Sequence, residues 1–145
     1  MSQMIFVNLP VADLEALKAF YSAIGFRNEP KFTDDTAAAM QLSDVIHVML
    51  LTHDKWKSFT RKAIPNAKDS AQVMLCLSRE SRAHVDATLA DVAKAGGRAD
   101  CDPPQDYGFM YGRSFEDPDG HNWEVMWMDP AAAEQGPEAY AQAAA

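Results

Sequence analysis

The sequence predicts an α+β fold: two βαβββ modules in one chain, their curved mixed sheets forming a cleft with the helices outside. Four observations carry that expectation. The same order of elements is written twice, once in each half of the chain. Near the end, Asp117-Pro118-Asp119-Gly120 is turn chemistry, because Pro fixes φ, Asp side chains bond local N–H groups and Gly takes a positive φ cheaply. The strand that follows alternates, with Trp123, Val125 and Trp127 on one face and Asn122, Glu124 and Met126 on the other. Finally, 145 residues with 48% hydrophobic content suit one domain with a substantial core and are too few for two ordinary ones.

Module one, about residues 4–52, opens with a strand over 4–9. Asp13 is placed to cap a helix whose Leu14, Leu17, Tyr21 and Ile24 form one apolar stripe, and Gly25 stops it. Extended segments follow at 26–33, 36–42 and 45–51. A linking helix at about 54–63 carries Trp56 and Phe59 at helical spacing, with Lys55, Lys57, Arg61 and Lys62 as a solvated basic face. Module two, about 71–128, repeats the order: a strand over 71–77, Ser81 as cap, a helix with Val85, Leu89, Val92 and Ala93 inward, and a stop at Gly96-Gly97. Its extended segments fall at 99–102, 109–115 and 121–128. Both modules belong to one domain over 1–128. Residues 129–145 form an Ala-rich tail, where Asp129 can cap and Pro130 can start a short helix before Gly136-Pro137 interrupts it.

A net charge of -8 repels phosphate backbones, so no nucleic-acid partner is expected. Nothing approaches the length of a membrane span, and the N-terminus lacks the positive region and apolar run of a signal peptide; a cytoplasmic protein with no membrane partner is expected. Cys76, in an apolar run, and Cys101, near a loop, make neither a metal spacing nor a disulfide framework.

Candidate chemistry centres on Glu124. A carboxylate set among large apolar side chains is costly unless it is paired or used. If Glu116 and His121 close the hairpin, Arg113 lies directly across from Glu124 on the same face. The pair is then either scaffolding or a carboxylate base with an anion clamp beside it. Aligning the last strands of the two halves sets His47 opposite Glu124. His121, on the other parity beside the turn, reads as structural. Met49, Met74, Met110 and Met126 suit either adaptable core packing or, in a cleft, a flexible apolar ligand, and Tyr107, Phe109 and Tyr111 suit either an aromatic rim over the cleft or ordinary strand packing.

Val11-Ala12-Asp13-Leu14 with Phe20-Tyr21 and Gly25-Phe26, together with the Asp117–Gly120 turn followed by Glu124, resemble the vicinal oxygen chelate superfamily over roughly residues 4 to 128. That superfamily includes glyoxalase I, extradiol dioxygenases, and the bleomycin- and fosfomycin-resistance proteins. Residues 5–11 and 108–115 are similar to its bacterial subgroup of predicted lactoylglutathione lyases. The resemblance implies a homodimer, and ligands to a divalent metal (Ni, Zn, Fe or Mn) from the first and last strands of each module. Carried over by position these are Phe6, His47, Met74 and Glu124. His47 and Glu124 are ligand types; Phe6 cannot ligate, and the Met74 thioether is a poor ligand for such ions.

Three functions remain open from the residues and the resemblance. One is a metal-dependent lyase or isomerase acting on a small oxygenated substrate. There His47 and Glu124 hold the metal, Glu124 and Arg113 are catalytic, and Phe6, Asn8, Met74, Tyr111 and Met126 contact substrate. The second is a metal-free protein of the antibiotic-sequestering kind that binds a small molecule. The third is a dioxygenase.

Overall fold

The computed structural model describes residues 2–144; Met1 and Ala145, the two ends of the expected domain and tail, lie outside the described residues. In the first half β1 (Ile5–Val11), α1 (Leu14–Ala23), β2 (Arg27–Glu29), β3 (Ala37–Gln41) and β4 (Ile46–Thr52) form a sheet in the order β1-β4-β3-β2. A linking helix, α2 (His53–Phe59), leads to the second half. There β5 (Leu75–Ser78), α3 (Arg82–Lys94), β6 (Arg98–Ala99), β7 (Gln105–Asp106), β8 (Met110–Glu116) and β9 (Asn122–Met128) form a sheet in the order β5-β9-β8-β6, with β7 also on β8. Each sheet is mixed in the same way. The first strand runs parallel to the last, and the last two are antiparallel. The chain is thus the α+β duplication that the element order predicts.

Both helices begin where the caps place them. Asp13 accepts from the Ala16 N–H at 3.0 Å and Ser81 from the His84 N–H at 3.0 Å, satisfying donors that the first helical turn leaves open. The helix stripes and the helix-side faces of both sheets share one core. Leu17, Phe20 and Tyr21 of α1, Val85, Leu89 and Val92 of α3, Val48 and Leu50 of β4, and Phe115, Trp123 and Val125 of β8 and β9 are buried in it. The opposite sheet faces stay half open.

Several elements are shorter than predicted, each for a local reason. Pro30 turns the expected strand over 26–33 into β2 and a 3-10 turn at Pro30–Phe32, since its ring removes a ladder donor. The linking helix ends at Phe59, ahead of a Pro65-containing stretch, and β5 begins at Leu75 rather than Ala71. The tail forms α4 (Pro130–Gln135), capped by the Asp129 carboxylate, and after Gly136 at φ 87 it forms α5 (Pro137–Ala144).

The Asp117–Gly120 turn does more than reverse the chain: it clamps module two onto module one. Buried Asp117 accepts from the Tyr21 hydroxyl at 2.6 Å and from the Asp119 and His121 N–H groups at 2.9 Å each. Trp123 Nε1 donates to the Tyr21 hydroxyl at 3.0 Å. Asp119 accepts from the Ala12 N–H at 2.7 Å, and His121 Nε2 lies 2.8 Å from the Pro10 carbonyl. His121 is therefore structural, as its parity implies.

Candidate functional site

Alternation decides what each sheet offers on its open face. On module two the ladder brings Ser114 opposite Glu124, Gly112 opposite Met126 and Met110 opposite Met128, with Cys76 beside Glu124 on the parallel side. Trp123 and Val125, of the other parity, are buried in the core. A cavity of about 360 Å³ opens here, lined by Met74, Asp102, Gly112, Ser114, Asn122 and Glu124 among others. Gly112 meets its neighbours only at ordinary contact distance, so its missing side chain leaves room over Met126. Burial, and after it the charge of Glu124, push the Cys76 thiol above its usual range.

Arg113 does not cross to Glu124. The predicted pairing assumed that Glu116 meets His121, but Glu116 pairs with Asn122, which sets Arg113 opposite Val125. The extra residue sits in the turn, where the Asp117 carboxylate draws in the N–H groups of both Asp119 and His121. A slip of one residue moves a side chain to the other face. Arg113 accordingly points to the helix side, donating through Nε and Nη2 to Asp100 at 2.9 and 2.6 Å and through Nη1 to Asp86 at 2.9 Å. Its hydrogen bonds hold the Asp100 carboxyl below the usual range; Asp86 is held down first by the Tyr111 hydroxyl and then by Arg113. Among the described residues, Glu124 has no ion-pair partner within 4.0 Å.

The equivalence of His47 and Glu124 is corrected by two residues. The two N-caps, Asp13 and Ser81, fix Phe6 and Met74 as counterparts. Phe6 pairs with His47, whereas Glu124 pairs with Cys76, two residues beyond Met74. Cys76 corresponds to Asn8, whose partner is Met49. The counterpart of Glu124 is therefore Met49, and His47 corresponds to Asn122. Of the four cleft positions related in this way, Phe6, Met49, Met74 and Glu124, only Glu124 can bind a divalent ion strongly; catalytic zinc sites draw on three protein ligands. Among the described residues no three His, Cys, Asp or Glu side chains gather where they could hold a metal. This donor set does not fit the metal that the resemblance implies.

The remaining predicted site residues divide between the two sheets. Phe6, Asn8, His47 and Met49 lie on the open face of module one, where the Phe6 and His47 rings stack at 4.6 Å and His47 Nε2 is buried with no hydrogen-bond partner among the described residues. Met74 and Met126 lie with Glu124 on module two. Tyr111 is turned toward α3, its hydroxyl donating to Asp86 at 2.6 Å under the Arg82 guanidinium, which removes it from the cleft face. Tyr107 and Phe109 stack at 6.1 Å, and Phe109 meets Tyr140 of the tail.

The site also has members that the sequence reading missed. Asp100, at φ 55, turns the chain so that Cys101 Sγ reaches Ser114 Oγ at 3.4 Å and the Asp102 N–H donates to the same oxygen at 2.9 Å. A turn one residue longer would have brought Ser114 into view, since it then shares the face of Glu124.

The sequence matches the family profile of the Glyoxalase/Bleomycin resistance protein/Dioxygenase superfamily over residues 3–125. No curated protein matches it. Among solved structures it is similar to a hypothetical protein, SA1046, from S. aureus, with TM-score 0.73 and 26% identity over 88% of this chain and 94% of that one. A glyoxalase-related enzyme from Fulvimarina pelagi gives TM-score 0.72 at 19% identity over 88% of each chain. The fosfomycin resistance protein FosX from Mesorhizobium loti gives 0.63 at 17% identity over 92% and 96%. With the family profile spanning most of the chain and the duplicated βαβββ topology in place, the protein belongs to the glyoxalase/bleomycin resistance protein/dioxygenase superfamily.

Proposed function

We propose that this protein is a metal-independent binder of a small, largely apolar organic molecule that carries hydroxyl or ammonium donors, held against Glu124 in a Met-lined cleft. One observation carries the reading: Glu124 faces a cavity shared with Met74, Gly112 and Arg113, and among the described residues it forms no ion pair, Arg113 being spent on Asp86 and Asp100. A half-shielded carboxylate of this kind gains most from a ligand donor that replaces water. Methionines adapt to varied apolar shapes, which suits sequestration of an antibiotic-like compound.

Each chain offers two open half-sites, one on each sheet. Phe6, Val73 and Met74 are 53%, 61% and 65% exposed at the leading ends of β1 and β5. A cytoplasmic homodimer that lays module one of one copy over module two of the other would cover these apolar edges and close the cleft.

The lyase or isomerase reading has one observation in its favour: an unpaired cleft carboxylate can also serve as a general base. A single experiment separates the two. Titration with catechol and with phenethylamine, benzoate serving as the repelled control, is run on wild type and Glu124→Gln with chelator present. The hemithioacetal of methylglyoxal and glutathione is assayed in parallel. The binding reading expects affinity for the donor-bearing probes, at least tenfold weaker in Glu124→Gln, and no turnover. Turnover by wild type that vanishes in Glu124→Gln would establish the enzyme instead.

A further inference from the structure

A cavity of about 680 Å³ lies between the end of β1, the linking helix, the linker that follows it and the Asp117–Gly120 turn. His53, Lys57 and Lys68 line it. Five of the chain's thirteen Lys and Arg residues fall between 55 and 68 with no Asp or Glu among them, in a protein of net charge -8. None of those five forms an ion pair among the described residues. Asp119, the acid in the wall, is already engaged by the Ala12 N–H.

A second cavity of about 300 Å³ adjoins it, with Pro10, Ala63, Pro65, Ala67 and His121 common to both walls. This one is mainly apolar, walled by Val7, Leu9, Trp56, Val73 and Leu75, with Lys62, Asn8, Gln72 and Asn122 also in its lining. The Trp56 indole N–H is buried there and has no acceptor among the described residues. A cationic chamber joined to an apolar one is complementary to a molecule with a negative head and a hydrocarbon body.

We infer that the joined cavities form a second binding site, beside the Glu124 cavity and sharing Asn122 with its wall, for a small amphiphilic organic anion. The head lies between Lys57 and Lys68 and the apolar body runs past Ala63 and Ala67 toward Trp56. The site does not depend on the cleft's function. Its occupant is a free molecule in solution, because the apolar chamber is walled by the linker rather than displayed as a flat surface.

The test is calorimetric titration of the full-length protein with decanoate below its micelle concentration, with decanol and decyltrimethylammonium as neutral and cationic controls. Decanoate binds once per chain, and both controls bind at least about tenfold more weakly. Lys57→Gln/Lys68→Gln weakens decanoate by a similar factor with the thermal midpoint unchanged, and Ala63→Phe, which occupies the junction, abolishes binding. Saturating catechol does not compete. Equal affinity for decanoate and decanol would overturn the proposal, as would unaltered binding in the double variant. Capture by phosphatidylglycerol vesicles without binding of monomeric decanoate would also overturn it.

Discussion

At the scale of single residues, the two best-defined charged side chains hold the fold rather than perform chemistry. Burial pushes the Asp117 carboxyl above its ordinary value of 3.8, with the nearby His121 acting against the rise. The folded protein therefore binds this proton more tightly than the unfolded chain. The resulting stabilisation is full below the ordinary value and is lost as pH rises through the raised one. Asp117→Asn keeps the shape and cannot titrate, so the stability advantage of wild type over it should be larger at pH 4 than at pH 7, read from urea midpoints at both. A gap that narrows on acidification would contradict the assignment. Arg113 makes a second case. With a fifth of its side chain exposed and both partners more exposed still, its links to Asp86 and Asp100 are screened. Arg113→Ala should cost only about 1 kcal/mol in chemical denaturation. Catechol affinity should stay within twofold of wild type, whereas a tenfold loss would return Arg113 to the binding site.

At the scale of elements, what was legible in the sequence was what short-range physics controls. Caps at Asp13 and Ser81, apolar stripes at helical spacing and the alternation of β9 all concern neighbours within a turn or a pleat, and the structure repeats them except at Ala93, expected inward but exposed, while Thr88 is buried on α3 instead. Register was not legible, because it depends on how many residues a turn consumes. Asp117 accepts hydrogen bonds from two N–H groups beyond it, so the loop holds one residue more than a tight count allows, and Arg113 changes face. The His47 alignment failed for the same kind of reason: apolar strands slide against one another in a sequence comparison, and only the N-caps supply a ruler. Gly120 shows how tightly this turn is fixed. It sits at φ 96, and a Cβ there would meet backbone atoms of Ala67 and Lys68 at 2.8 to 2.9 Å. Backbone cannot move aside as a side-chain tip can. Gly120→Ala should therefore cost about 2–4 kcal/mol. It should also lift the linker and weaken decanoate binding, whereas alanine in place of Gly136, which has open space around it, should leave decanoate binding intact.

At the scale of the whole molecule, the shared core decides where a cleft can form. Tyr21 and Phe26 of module one pack on Trp123 of module two, and Phe20 on Phe115, so the two sheets turn their helix-side faces toward common ground. Their open faces, with Phe6 and Met49 on one and Glu124 and Met126 on the other, belong to different sheets, and among the described residues the cavity at Glu124 is lined by module two alone. In the proposed two-fold dimer each closed cleft would take one half from each chain. Complementation tests this arrangement. Met49→Arg should block the module-one half and Glu124→Gln the module-two half, so either variant alone should bind catechol poorly. In a mixed dimer one cleft would collect both lesions and the other neither. Unfolding and refolding an equal mixture should therefore restore about a quarter of wild-type binding capacity, because half of the dimers are mixed and each regains one of its two clefts. Wild type should also run at twice the chain mass in light scattering, and Met74→Asp should halve it. A mixture that binds no better than its parents would place both halves of the site in one chain and dissolve the argument for a second copy.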